Sequence, residues 1–442
     1  MSSPHALPRT IIHVDLDAFY CTVEELSDPA LCGRAFAVGG RADERGVVAS
    51  GSYAARSFGL RSAMAMGMAQ RLCPHLLVVP PRHSHYRAVS AGLMELLRSF
   101  TPLLEQLSID EAFLDVSGLL ANDDIVSGGS SAARTLALEI QRCVFEELGL
   151  SCSLGMASNK MVAKIATDCG KATATLGQSP RALCVVPPGE EAAFLAPLRV
   201  SALWGVGPKM EAHLQSLGIE TIGALAEWDE RDLARRFGKH GVELARHARG
   251  IDRREVITER ERKSISSETT FLHDVGDWET LHATLGEQTR SVAAQLQGQK
   301  LQANTVKIKI RWSNFSYSTR QMTLPRATDA APTIEVAATA LLRQIWGDAA
   351  PVRLLGVGVS GLSPVRQLGL FDSIPEMEAS PMSVPYPIEV KATQEVCSPQ
   401  KIVLAPVIDE RRQRLRETLT RLEARFGSVV VHLGATTRSE SS

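Results

Sequence analysis

Two short apolar runs, far apart in the chain, each end in or contain paired carboxylates: Ile11-Ile12-His13-Val14-Asp15-Leu16-Asp17 and Ser108-Ile109-Asp110-Glu111-Ala112-Phe113-Leu114-Asp115. The β-branched and aromatic residues in both read as buried strand. An acid in such a setting is costly unless it is paired or binds a cation. Side chains adjacent on a strand point to opposite faces. Asp110 and Glu111 can therefore serve one site only if the chain bends there or the site lies at a sheet edge.

Taken singly, either run could be explained by turn-capping or ion-paired acids. Both together, each embedded in apolar strand sequence, favour a shared metal site, and three carboxylates on two adjacent strands would suit one. Magnesium suits it: a hard ion that takes oxygen ligands in octahedral geometry and often shares them with phosphates. Two such ions can activate an attacking oxygen and stabilise a leaving one in an in-line displacement.

At 442 residues the chain exceeds one ordinary core, and two to four domains are expected. No apolar run reaches the ~18 residues of a membrane helix, so no membrane partner is expected. Residues 1–9 lack the apolar stretch of a secretion signal. The eight cysteines form no CxxC pair and show no zinc-like spacing with histidine. Reduced thiols in a cytoplasmic protein are the expectation. The net charge of −1 counts against a nucleic-acid binder, unless basic residues are concentrated locally.

They are. Residues 305–312 alternate strictly, with Val306, Ile308, Ile310 and Trp312 inward and Lys307, Lys309 and Arg311 on one exposed face. The segment 249–263 adds six further basic residues and reads as a linker. Elsewhere, helical spacing runs through Val89, Leu93, Leu96, Leu97 and Phe100. Leu107 to Val116 reads as a strand, 121–131 as a loop, 132–148 as a helix and 151–157 as a strand. Pro187-Pro188-Gly189 marks a break. Residues 374–408 hold six prolines and read as a flexible linker. Leu415, Leu419, Leu422 and Phe426 form an amphipathic stripe ending at Gly427.

Further groups could bind phosphate. Tyr53 and Arg56 share a helix face near Ser50, and arginine matches phosphate oxygens bidentately; a solvated helix face is the plainer alternative. Lys160, Lys164 and Lys171 are unremarkable as helix charges. Leu203-Trp204-Gly205-Val206-Gly207-Pro208 resembles the turn of a helix-hairpin-helix, which grips a DNA phosphate without reading sequence.

In this order, from Ile11 to about Leu362, the motifs resemble the Y-family, or translesion, DNA polymerases, most closely the DNA polymerase IV branch. The most specific pieces are Val14-Asp15-Leu16-Asp17-Ala18-Phe19-Tyr20 and Ser108 to Asp115. Ser158-Asn159-Lys160, Gly205-Val206-Gly207 and Val352 to Gly358 support them.

The resemblance implies an α+β right hand: palm (1–23 and 84–180), fingers (24–83), helical thumb (181–250), linker (251–263) and α/β little finger (264–363). It implies that Asp15, Asp110 and Glu111, with the Leu16 carbonyl, hold two Mg²⁺ ions. Asp17 is a supporting residue. Tyr20, beside Phe19, is implied as the gate that clashes with a ribose 2′-OH. Ser50, Tyr53, Arg56 and Lys171 are implied as the triphosphate clamp. Gly205, Gly207, Lys307, Lys309 and Arg311 would hold DNA. The implied reaction is attack of a primer 3′-OH on the α-phosphorus of a deoxynucleoside triphosphate, at low fidelity, without proofreading, in damage tolerance and repair.

Ser50 stands where the family often has threonine, and Ala172-Thr173 replaces a common proline-glycine. Past the little finger, within 364–373, Gln367, Leu368, Leu370 and Phe371 resemble a sliding-clamp docking peptide. Residues 409–442 read as a C-terminal helix and tail of no assigned role. A monomer is expected. Three rivals fit less: a catalytically silent relative would lack the acids; a nucleotide cyclase would need neither the hairpin motif nor the basic strand; a plain DNA-binding module would not need buried acids.

Overall fold

The computed structural model describes residues 9–120, 130–175, 177–347 and 350–365. All fall in one unit that ends at Gln367. The loop expected at 121–131 lies almost wholly outside the described residues. So do the docking peptide at 367–371, the proline-rich segment and the C-terminal helix.

The chain opens with β1 (Ile11–Leu16) and α1 (Phe19–Ser27). It then leaves to build a small layer: β2 (Phe36–Gly39), β3 (Val48–Gly51), α2 (Tyr53–Arg56), α3 (Met66–Leu72) and β4 (Leu77–Val79). These strands pair in the order β3-β2-β4 over a core of Ala37, Val48, Leu60 and Met66.

The long helix α4 (His83–Phe100) returns the chain, followed by β5 (Leu104–Gln106) and β6 (Glu111–Asp115). Leu93 and Leu97 are fully buried on α4, with Val89, Leu96 and Phe100 packed beside them, as the spacing requires. The stretch expected as one strand from Leu107 to Val116 is interrupted. Leu107 and Ser108 donate backbone hydrogen bonds back to the Glu111 carbonyl, so the chain turns at 108–110. This is the bend that two adjacent acids need to serve one site.

Next come α5 (Ser130–Leu148), β7 (Cys152–Ala157), α6 (Lys160–Ala172) and β8 (Leu183–Val185). The central sheet has the order β5-β6-β1-β7-β8. Residues 183–185, assigned to the thumb from sequence, are its fifth strand, parallel to β7. Three apolar residues before Pro187 are too few to show a period, and they close the old unit rather than open a new one.

β1 is central and antiparallel to β6 and β7. Its alternation divides the molecule. Ile12, Val14 and Leu16 join the core beneath α4 and α5, whereas Ile11 joins the core on the α6 side. His13 and Asp15 share the Ile11 face by the two-residue period. Directly across that face, Phe113 opposes His13 and Glu111 opposes Asp15. On the other flank His13 opposes Gly155. A Cβ at Gly155 would overlap the Ala163 carbonyl and the Thr167 amide, so only glycine lets α6 lie this close to the sheet.

Short helices follow: α7 (Glu191–Leu195), α8 (Pro208–Ser216), α9 (Ile222–Ala226), α10 (Glu230–Phe237) and α11 (Lys239–Ala248). Their core, with Leu214, Ile222, Leu233 and Leu244, is continuous with the α6 side of the central sheet. Gly205, at φ +97°, and Gly207 bracket Val206 just before α8, whose first residue is Pro208.

The segment 251–263 has no regular structure, yet it is fixed to the central sheet. The Ile257 amide donates to Glu105 Oε2 (3.0 Å), and Arg260 lies 3.7 Å from Glu105 Oε1. Glu105 also holds the buried Lys160 ammonium at 2.7 Å.

The last unit comprises β9 (Ser264–Val275), α12 (Trp278–Gly298), β10 (Leu301–Trp312), β11 (Tyr317–Thr328), α13 (Ala331–Ile345) and β12 (Val352–Pro364). Its sheet runs β11-β10-β12-β9. Val306, Ile308 and Ile310 pack beneath the two helices, while Trp312 is only partly buried. An ion pair, Arg45 Nη1 to Asp274 Oδ1 at 2.6 Å, joins this unit to the layer built from β2, β3 and β4.

Candidate active site

Asp15 closes the usable end of β1, Glu111 is its cross-strand partner, and Asp110 sits in the turn just before β6. The Asp110 carbonyl accepts the Leu16 amide at 3.0 Å, which fixes the turn to the strand. Burial pushes the Asp110 carboxyl above its usual pKa. The charges of Asp15 and Glu111 push it further, against the Ser108 hydroxyl hydrogen bond. Three carboxylates thus converge closely enough for their charges to act on one another.

Each acid has a base or hydroxyl on it. Lys171 Nζ is 2.6 Å from Asp15 Oδ1, and Lys164 Nζ is 2.5 Å from Glu111 Oε2. His13 Nε2 is 3.2 Å from the same Glu111 oxygen. The His13 hydrogen bond, opposed by burial and reinforced by Lys164, holds the Glu111 carboxyl down at about 2. Burial in turn lowers the His13 pKa, against the hydrogen bond and charge of Glu111.

Among the described residues no group of three His, Cys, Asp or Glu side chains forms a cage for a metal ion. A magnesium site does not need one. Mg²⁺ keeps several waters and takes one or two carboxylates together with substrate phosphates. The donor set here is all oxygen, with Asp15 and Asp110 open to a cleft, which fits a hard divalent cation.

The cleft, about 340 Å³, is lined by Asp15, Leu16, Tyr20, Asp110, Arg56 and Lys171, with Phe19, Ser50 and Ile109 beside them. The lining does not include Glu111, whose carboxylate is turned to His13 and Lys164. Tyr53 is not in the lining either. Its ring lies under the Arg56 guanidinium at 4.8 Å and holds it up, while Arg56 Nε donates to the Gly51 carbonyl at 3.0 Å.

Tyr20 is held from below. Its ring stacks on Tyr86 at 4.2 Å and 16°. Tyr86 donates to Glu24 at 2.5 Å, and Arg82 clasps the same carboxylate at 2.6 and 3.0 Å. Such a stack contributes about 0.5–1.5 kcal/mol beyond the area it buries. Burial and the Asp110 charge raise the Tyr20 phenol pKa, which places the ring near that acid.

Asp17 is fully enclosed and accepts hydrogen bonds from the Ser151, Ser153 and Ser179 hydroxyls and the Arg181 amide. The segment after Lys171, where the sequence departs from the family pattern, is therefore pinned to the sheet through Asp17.

Sequence reasoning missed His13, Ser108 and Ser151, and gave Lys164 no role. The signal for Lys164 was present: Lys164, Thr167 and Lys171 lie at i, i+3 and i+7, one face of α6. Lys160, by contrast, is a buried partner of Glu105.

A second surface lies on the sheet of the last unit. Lys307, Lys309 and Arg311 line a groove of about 730 Å³ with Tyr317, Thr319 and Ser266. Lys309 is not free as expected. It reaches over Gly356 to Glu268 at 2.9 Å. A Cβ at Gly356 would come within 2.7 Å of the Glu268 side chain.

The fold as a whole is that of a polymerase hand. A solved Y-family DNA polymerase chimera superposes with a TM-score of 0.71 over 80% of this chain and 99% of its own, at 24% identity, a likeness of fold. The sequence is closer to other proteins. Residues 14–168 match the impB/mucB/samB family, residues 262–370 its C-terminal domain, and residues 188–219 the IMS family HHH motif. The protein called DNA polymerase IV in Halorhodospira halophila is 40% identical over 83% of this chain and 99% of its own. Its namesake in Streptomyces coelicolor is 42% identical over 82% and 73%. That in Listeria monocytogenes is 39% identical over 81% and 96%. The chain belongs to the impB/mucB/samB family.

Proposed function

We propose that this protein is a template-directed DNA polymerase of the translesion type, with Asp15, Asp110 and Glu111 as its metal-binding acids. One observation carries the assignment of the site. The register of β1 against β6 sets Asp15 opposite Glu111, with Asp110 in the turn beside them, at a cleft that also holds Tyr20, Ser50, Arg56 and Lys171.

Asp15, Asp110 and Glu111 would hold magnesium ions, which when bound would supply charge neutralisation for the triphosphate and lower the proton affinity of the primer 3′-OH. The protein's own part is to orient. Asp15, Leu16 and Asp110 line the cleft, and Glu111 would complete the set from behind. Arg56 and Ser50 present donors to the β- and γ-phosphates. Lys171 sits within reach of both Asp15 and a phosphate, so triphosphate binding would draw it off the acid. Catalysis by positioning and charge is what phosphoryl transfer needs. Tyr20, fixed by Tyr86, forms a floor under the sugar that a 2′-OH would strike.

Gly205 and Gly207 ahead of α8, with Lys307 and Arg311 on the groove, fit primer-template DNA gripped by its backbone. Lys309, being paired, contributes less. The palm on this assignment runs through β8. The enzyme acts as a cytoplasmic monomer; the free thiols of the seven described cysteines accord with a reducing compartment.

Replacing Asp110 with Asn tests the centre. Primer extension falls by at least ~10³-fold, as expected when a metal-binding acid is removed, while DNA affinity measured by fluorescence anisotropy stays near wild type. Extension at wild-type rate would overturn the assignment. The peptide Gln367 to Phe371 tethers the enzyme to a sliding clamp. Deleting it removes only the clamp-dependent gain in synthesis; an equal loss without clamp would sink that role.

A further inference from the structure

His13 has no part in the scheme above, yet it occupies the centre of the sheet. It is fully buried, and both ring nitrogens are engaged: Nδ1 lies 2.8 Å from Thr167 Oγ1 and Nε2 lies 3.2 Å from Glu111 Oε2. The ring is braced by Phe113, its cross-strand neighbour, at a centroid distance of 5.0 Å.

The chemistry of the partners fixes the protons. A carboxylate only accepts, so Nε2 carries hydrogen. A ring with that single hydrogen has a bare Nδ1, which accepts. Among the described residues Thr167 is the only donor there, so its hydroxyl points at Nδ1. A threonine within a helix would otherwise donate to the carbonyl four residues back, and the Ala163 carbonyl is available at 3.2 Å. The result is a directed relay from Thr167 through the imidazole to Glu111.

The relay has a geometric consequence. His13 and Lys164 both bind Oε2 of Glu111, and no described residue donates to Oε1. One oxygen is anchored and the other is left for a cation.

We propose that His13, with its tautomer set by Thr167, is a positioning residue that holds the Glu111 carboxylate in the orientation that binds metal. Outer partners of metal-binding groups act in this way, and losing one typically costs 10–100-fold in metal affinity or activity. The proposal rests on Glu111 being a metal-binding acid.

The test uses the full-length protein with a dideoxy-terminated primer-template and a deoxynucleotide, so that no turnover occurs. Manganese binding to that complex is followed by electron paramagnetic resonance, and single-turnover extension of an unmodified primer is titrated with magnesium in parallel. His13→Leu should raise the metal concentration at half-saturation about tenfold without changing DNA affinity. Thr167→Val, which keeps the shape of the side chain, should shift it in the same direction by less. His13→Gln, which keeps a donor near the Nε2 position, and Thr167→Ser should recover most of the loss. In ¹⁵N-histidine spectra the His13 ring should show the Nε2–H tautomer in wild type and lose that preference in Thr167→Val.

Unchanged metal dependence in both His13→Leu and Thr167→Val, while Glu111→Gln shifts it, overturns the proposal and leaves Glu111 as a metal-binding acid. Unchanged metal dependence in Glu111→Gln overturns that parent assignment and the proposal with it. Equal losses in His13→Leu and His13→Gln that track only thermal stability would make His13 a core residue and also overturn it.

Discussion

At the residue scale, the acids were legible because burying charge in an apolar strand is expensive, and the sequence showed that expense twice. Their partners were not. His13 reads as one polar residue in a strand, and only the register places it diagonally from Glu111. The gate role proposed for Tyr20 comes from resemblance alone; what holds its ring, the stack on Tyr86 and the Glu24 carboxylate beneath, joins residues more than sixty positions apart. Replacing Tyr20 with Ala removes the ring but not its support. Ribonucleotide incorporation should rise by at least ~10²-fold relative to deoxynucleotides, since steric exclusion disappears with nothing to compensate for it. Competition between labelled ribo- and deoxynucleotides measures it, and an unchanged preference would place the gate elsewhere.

At the element scale, strand alternation and the helix stripe of α4 were readable, because both are local periodicities. The turn at 108–110 and the fifth strand at 183–185 were not. Each depends on which partner a short apolar segment finds, and three residues carry no period. The segment 249–263 reads from composition as a linker, and that composition hid its anchorage. Asp252 is buried there and clasped by Arg254 through two side-chain hydrogen bonds of 2.8 Å.

Burial pushes the Asp252 carboxyl up, but the Arg254 hydrogen bonds and charge outweigh it and hold the carboxyl below its ordinary value. A depressed folded pKa contributes stability that is complete above the unfolded value, near 4, and is lost as pH falls through the folded one. Asp252→Asn should therefore cost about 2 kcal/mol at neutral pH and less below pH 4. Urea unfolding at pH 7 and pH 3 checks this; an equal cost at both would show that the pair is not electrostatically coupled to folding.

At the scale of the whole molecule, a chain with nearly no net charge still presents one basic groove, and its grip on DNA should be set by few cations. Lys307 and Arg311 remain exposed on it, while Lys309 is spent on Glu268. Replacing Lys307 and Arg311 together by Ala should weaken DNA binding alike for all sequences. The dependence of log affinity on log salt should become shallower by about 2, one for each phosphate no longer neutralised. The Lys309→Ala variant should change that slope by less than either. A full unit of change from Lys309 would mean that DNA breaks its pair with Glu268.

Gly155 has no side chain and lies on a strand that bears none of Asp15, Asp110 and Glu111. Yet its bareness sets the distance between sheet and helix at which Lys164, Thr167 and Lys171 all meet their partners. A mutational screen for impaired DNA synthesis would therefore return position 155 beside the acids themselves. The defect would be one of spacing, and no repair of any one of those three pairings would restore it.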